Sequence, residues 1–204
     1  MEALIIIDMQ NDFMPGGALA VPEADQMIPV INTLQTHFEL VVATQDWHPR
    51  GHVSFASSHA GKKPFEKMML NGIEETLWPD HCIQGTRGAD FSDQLNTQKI
   101  AAVFRKGMNP KVDSYSGFYD NHHLIATGLS GYLREKKIRT LYFCGVAADV
   151  CVYFSVMDAL AEGFQCVFVQ DASQPLYRDQ YAHLLNELSS KGVSIVSSWQ
   201  LVNH

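Results

Sequence analysis

Cys151 follows the run Gly145-Val146-Ala147-Ala148-Asp149-Val150 at the opening of an amphipathic stretch. A thiol placed there meets backbone N–H groups and the positive end of a helix dipole, which favour the thiolate, lower its pKa and can hold an oxyanion. The same position also suits a small buried hydrophobe, which is what most free cysteines are. Cys144 and Cys166 lie inside apolar runs and read as core thiols, and Cys82 has no spaced thiol partner. Asp8 ends the apolar run Leu4-Ile5-Ile6-Ile7, and a carboxylate at a core edge needs a cation or backbone donors to stay charged. Lys106 is the candidate cation; the alternative is a solvated lysine beside Arg105.

Asp46, His48, His52 and His81 offer one carboxylate and three imidazoles. That mixed N/O set suits Zn2+, Fe2+ or Mn2+ better than Mg2+ or Ca2+. Asp46 and His48 alternate, so an extended backbone points both to one side. The alternative is a group of solvated loop histidines, which is how His37, His59, His122, His123, His183 and His204 are read. His59 is the nearest rival for a ligand role.

Groups so far apart in sequence meet only if the fold collects them. Near-continuous apolar runs at 3–7, 40–44, 100–104, 140–144, 166–169 and 193–196 have the character of buried parallel strands. Between them, 24–37, 124–136, 150–162 and 181–188 carry apolar residues at helical spacing, with Gly163 and Gly192 placed to cap the last two. The alternation predicts an α/β fold: one domain over 1–204, doubly wound and Rossmann-like, with a mostly parallel six-stranded sheet and helices on both faces. Ligands of such sheets sit beyond the carboxyl ends of the strands. Asp8, Asp46, His48, Lys106 and the turn before Cys151 all follow predicted strands. The segment from Asp46 to about Lys99 lacks sustained periodicity, as long functional loops do.

Fifteen basic against twenty-two acidic residues, a formal charge of −7 and no basic run longer than a pair argue against a nucleic-acid or anionic-membrane partner. A small-molecule substrate is expected, and assembly into a homo-oligomer is left open. No stretch approaches the roughly 20 apolar residues that cross a bilayer. The first residues read as a strand rather than a targeting peptide, and four cysteines without a CxxC pair fit free thiols in a reducing cytoplasm.

Longer motifs narrow the chemistry. They are Leu4-Ile5-Ile6-Ile7-Asp8-Met9-Gln10-Asn11-Asp12-Phe13, Thr44-Gln45-Asp46-Trp47-His48-Pro49, His52-Val53-Ser54-Phe55 and Trp78-Pro79-Asp80-His81-Cys82. Val103-Phe104-Arg105-Lys106-Gly107, Asp113-Ser114-Tyr115-Ser116-Gly117-Phe118 and Gly145-Val146-Ala147-Ala148-Asp149-Val150-Cys151-Val152 complete them. Over essentially its whole length the chain resembles the nicotinamidases of the isochorismatase-like cysteine hydrolase superfamily. The resemblance implies catalytic roles for Asp8, Lys106 and Cys151, a metal held by Asp46, His48, His52 and His81, and a pyridine ring among Phe13, Trp78 and Tyr115. It implies an oxyanion hole from the N–H groups of Ala147 and Cys151, and a cis bond between Val146 and Ala147. Ala148 and Val146 depart from the Thr and the Ile or Leu common in relatives, without removing a reactive group. The implied reaction is hydrolysis of nicotinamide, and of pyrazinamide, through a cysteine thioester, with Zn2+ first and Fe2+ or Mn2+ as alternatives; such a step belongs to NAD salvage. Competing expectations are a hydrolase of another small amide or carbamoyl compound, and a non-catalytic metal-binding or thiol-sensing protein.

Overall fold

Apolar β-branched residues make a strand of the first segment, and burial on both sides places it in the middle of a sheet. β1 (Glu2–Ile7) lies between β2 (Val41–Asp46) and β6 (Thr140–Val146), with Leu4 opposite Val41 and Tyr142. β5 (Ile100–Lys106) adds outside β2, and β7 (Gln165–Gln174) and β8 (Ser194–Val196) extend the other side. The order is β5-β2-β1-β6-β7-β8 and every pairing is parallel. This computed structural model describes residues 1–203, so His204 lies outside the described residues.

Side chains alternate across a strand, and two cores follow from that alternation. Leu4 and Ile6 of β1 pack with Ile28, Ile31 and Leu34 of α1 (Ile28–Leu34) and with Leu201 and Val202 of α5 (Ser198–Val202). Ala3, Ile5 and Ile7 face the other way. They join Leu129 and Leu133 of α2 (Leu129–Glu135), Val156 and Ala159 of α3 (Tyr153–Ala161), and Leu184 and Leu188 of α4 (Tyr181–Ser190). Helices therefore cover both faces, as the apolar rhythm predicts. Each fully buried Ile or Leu contributes roughly 1.5–3 kcal/mol, so both faces are needed to hold the central strand.

Several boundaries differ from expectation. The helix predicted from 124 begins only at Leu129. Asp120 accepts the N–H groups of His122, Leu124 and Ile125 and folds that stretch into a turn, while Gly128 at φ 94° redirects the chain into α2. Leu124 and Ile125 are left 78% and 56% exposed. The helix predicted from 150 opens as one π-helical turn, Ala148–Val152, before α3. Gly163 and Gly192 have the positive φ that their capping positions require. The stretch after Asp46, otherwise short turns, contains an unpredicted antiparallel hairpin of β3 (Lys67–Leu70) and β4 (Ile73–Thr76).

One glycine is dictated by the sheet. Gly145 pairs with Ile7 at φ 120°, and a Cβ there would lie 2.1 Å from the Ile7 carbonyl oxygen. The chain approaches β1 this closely just before the turn that carries Cys151. Among the described residues, no helix is long and apolar enough to cross a membrane.

Candidate active site

The parallel sheet delivers the reactive groups to one edge. Asp46 and Lys106 end β2 and β5 and are register partners, Asp8 follows β1, and Cys151 follows β6 within the π-helical turn. The Lys106 Nζ lies 2.9 Å from Asp8 Oδ2, 3.1 Å from Asp46 Oδ1 and 3.4 Å from Cys151 Sγ, and donates to the Ser114 carbonyl at 3.1 Å. Asp8 Oδ2 and Asp46 Oδ1 have no directional hydrogen bond, so the ammonium charge is what holds them. The other oxygen of Asp8 accepts from Thr44 Oγ1 at 2.6 Å, and Thr44 Oγ1 in turn accepts the Asp8 N–H at 3.2 Å. Three remote segments thus share one ammonium in a buried pocket.

Burial and opposed charges decide the protonation states. Burial works against the Lys106 ammonium, yet Asp46 and Asp8 outweigh it and push its pKa well above the usual lysine range. Burial, aided by Asp46 and opposed by Lys106, raises the Asp8 carboxyl. Burial also pushes Asp46 upward, but His48 and Lys106 together hold it well below the carboxylate range. The Cys151 thiol goes well above its ordinary value: burial dominates, Lys106 pulls down, and the charges of Asp8 and Asp46 and a hydrogen bond with Asp8 add to the rise. This corrects the expectation of a thiol acidified by a helix terminus. Cys151 rests as a thiol and needs a base, and Asp8 stands beside it.

Asp46, His48 and His81 form a buried group whose ligand atoms all lie within 4.8 Å of one another. Carbonyl oxygens only accept, so the Gly107 oxygen 3.0 Å from His48 Nδ1 and the Pro79 oxygen 2.8 Å from His81 Nδ1 fix protons on those nitrogens. Both Nε2 atoms then converge on Asp46 Oδ2, at 3.0 and 3.3 Å. Two imidazoles oriented by carbonyls beside a carboxylate fit a transition-metal ion. His52 is not brought into that group. Its Nε2 lies 2.8 Å from the Asn109 carbonyl and its Nδ1 2.8 Å from Ser54 Oγ, and it clusters instead with His48 and Asp113.

Gly107 leaves no room beside these ligands. At φ 66°, an added Cβ would lie 2.4 Å from His48 Cε1 and 3.0 Å from Asp46 Oδ1. Gly107→Ala is therefore expected to weaken divalent metal binding by about 10- to 100-fold, the usual scale for disturbing groups that orient ligands. Competition with a chromophoric chelator measures it, with the circular dichroism spectrum retained.

A cleft of about 390 Å3 opens over the thiol, with Phe13, Trp78 and Tyr115 among its walls, Leu19, Val21 and Leu176 beside them, and Asp46, His81, Ala147 and Cys151 also lining it. Trp78 Nε1 donates to Tyr115 Oη at 3.3 Å, and the Phe13 ring stands 5.6 Å from that of His81. The Val146–Ala147 peptide is cis.

Some contributors lie in the motifs noted above without a role assigned to them there. The Gln10 amide clamps Asp46 by donating to its carbonyl at 2.7 Å and accepting its N–H at 2.8 Å. Asp12 accepts the Cys82 N–H at 2.7 Å, which ties the His81 loop to the turn bearing Phe13. Thr44 ends a predicted strand and opens a motif but signals no contact with Asp8, and the Ser114 contribution is a backbone oxygen. Asp113 lies in a motif noted above, but without a partner at metal-ligand spacing.

The isochorismatase domain model matches residues 2–200. The nicotinamidase of Escherichia coli is 43% identical over 98% of this chain and 97% of its own length. A nicotinamidase and pyrazinamidase from Acinetobacter baumanii superposes with a TM-score of 0.95 at 43% identity, covering 98% of each chain. An L. infantum protein in complex with nicotinate gives 0.86 at 38% identity, over 98% of this chain and 93% of that one. The pyrazinamidase of Pyrococcus horikoshii, in complex with zinc, gives 0.79 at 37% identity, over 96% and 98%.

Proposed function

The chain belongs to the isochorismatase domain family, among its nicotinamidases, and on that footing we propose that it hydrolyses nicotinamide to nicotinic acid and ammonia. The observation that carries this reading is one ammonium, that of Lys106, lying within 3.4 Å of both a carboxylate and a thiol on the floor of an aromatic-walled cleft. Among the described residues no arginine lines that cleft, as an anionic substrate would favour. The nicotinate complex of the L. infantum protein supports a pyridine ring here, and the relative from A. baumanii supports pyrazinamide as a second substrate.

Phe13, Trp78 and Tyr115 hold the ring over Cys151. Asp46, His48 and His81 would hold a divalent transition metal, with His52 outside this set; zinc is the first choice, given the Pyrococcus relative, and Fe2+ or Mn2+ the alternatives. When bound, the metal supplies a Lewis-acid anchor for the pyridine nitrogen. Asp8 takes the thiol proton as Sγ attacks the carboxamide carbon. Negative charge then moves from Asp8 to sulfur and carbonyl oxygen, and Lys106, in contact with both sides, faces an anion throughout. The backbone N–H groups of Ala147 and Cys151 receive the oxyanion. Asp8 returns its proton to the leaving nitrogen, ammonia departs and a nicotinoyl thioester remains. Asp8 next deprotonates water for attack on that ester, and its proton goes back to the Cys151 sulfur as nicotinic acid leaves. The four free thiols suit a reducing cytoplasm as the place of reaction.

The test is to follow ammonia and nicotinic acid from nicotinamide with native, chelated and zinc-restored protein. Equal amounts of both products, loss on chelation and recovery with zinc are expected. No ammonia from fully metal-loaded protein would overturn the assignment.

A further inference from the structure

Tyr115 is a wall with space on both sides. It lines the substrate cleft, and it also lines a second cavity of about 510 Å3 shared with Ile73, Phe154 and Asp158. A ring that is not fully backed by packed side chains keeps its place through its tethers, because a void offers no contact atoms. Two contacts hold the side chain and a third holds the backbone that carries it. Trp78 holds the hydroxyl, the Phe154 ring lies 5.4 Å from the Tyr115 ring, and Asn121 Oδ1 accepts the Tyr115 N–H at 2.9 Å.

Asn121 is itself anchored. Its own N–H donates to the Asp113 carbonyl at 2.8 Å, and its Nδ2 donates to Glu75 Oε2 at 2.9 Å. Glu75 is a buried acid on β4 that the hydrolysis does not use. Burial and the nearby Asp113 push its carboxyl upward, while the Asn121 hydrogen bond acts the other way. The chain Glu75, Asn121, Tyr115 therefore connects the β3–β4 hairpin to the substrate wall.

We infer that Glu75 and Asn121 are positioning residues that set the width of the cleft, pinning Tyr115 away from the cavity behind it so that a single six-membered ring is preferred over a fused bicyclic one. This rests on the reading of the substrate as an aromatic carboxamide. Freeing Asn121 from its Glu75 anchor lets the Tyr115 backbone shift and its ring retreat, which loosens the grip on nicotinamide and admits a wider ring without touching the thiol, the base or the ammonium.

Asn121→Asp keeps the acceptor for the Tyr115 N–H but sets a carboxylate against Glu75, and adding Glu75→Gln restores the bond with donor and acceptor exchanged. For Asn121→Asp at mildly alkaline pH, KM for nicotinamide is expected to rise about 10-fold with kcat within about 3-fold, since uniform binding is lost. The preference in kcat/KM for nicotinamide over quinoline-3-carboxamide should fall about 10-fold, the scale of a loosened hydrophobic pocket. The double variant should return both quantities to within about 3-fold of the parent. Glu75→Ala, which cuts the same tie without adding charge, carries the test if Asn121→Asp does not fold. A folded single variant with unchanged KM and selectivity, or with kcat alone reduced, would overturn the inference. Absence of nicotinamide hydrolysis by the parent protein would instead remove the reading beneath it.

Discussion

Cys151→Ala is expected to lower kcat for nicotinamide by about 10^4-fold or more, the scale on which removing an enzymic nucleophile acts, while metal content stays at the parent level. The two halves of this result follow from separate geometries. The sulfur is the atom on which the thioester forms, so nothing replaces it. It stands outside the Asp46, His48 and His81 group, so the ligands lose nothing. Steady-state rates and metal analysis of one sample measure both. A variant that retains turnover near that of the parent would reject the covalent route.

Lys106→Met has the second-largest expected effect and acts on stability as well as rate. The parent buries two carboxylates, Asp8 and Asp46, around one ammonium. Methionine fills much of the same volume and leaves both charges without it. Breaking a buried ion pair from one side costs about 3–5 kcal/mol, to be read as a lower midpoint in urea unfolding. The sign of the pH effect is set by Asp8. Lys106 pulls that carboxyl down against burial, so removing the ammonium raises it further and a smaller fraction is ionised at neutral pH. Asp8 accepts the thiol proton only when ionised, so the acid limb of the kcat/KM profile should move to higher pH. A metal-loaded variant with the parent's pH profile and unfolding midpoint would show that Lys106 neither orients nor polarises the base.

The sheet and the positions of its reactive groups were legible because strand ends leave a chemical mark. An acid directly after Leu4-Ile5-Ile6-Ile7 and a lysine at the end of an apolar run can meet only at the carboxyl edge of a parallel sheet, and they do. The strand order was not legible, since apolar runs buried on both faces do not say which neighbours they pair with. The β3–β4 hairpin is hidden from apolar periodicity because exposed and buried residues do not alternate regularly along it. Its sign was present all the same in Asn71-Gly72 between Leu70 and Ile73, the dipeptide that a tight hairpin turn favours, and both residues have positive φ. Residue type and the family resemblance both group His52 with Asp46, His48 and His81. In the structure its two nitrogens lie against the Asn109 carbonyl and the Ser54 hydroxyl and it groups with His48 and Asp113, neighbours that spacing along a chain cannot reveal. Protonation at Cys151 is not legible for a related reason: a local helix terminus is visible in sequence, whereas the enclosing burial that raises the thiol is a property of the whole fold.

The two rims of the sheet divide the labour of the molecule. The groups proposed for proton transfer, ion binding and ring recognition crowd onto the rim where β1, β2, β5 and β6 end. The reversals at Gly163 and Gly192 lead into β7 and β8 from the opposite rim, where none of the proposed reacting groups stands among the described residues. Anyone wishing to attach the enzyme to a bead, graft a reporter peptide or lengthen a connection has that far rim at their disposal, with the whole depth of the sheet shielding the chemistry from the alteration.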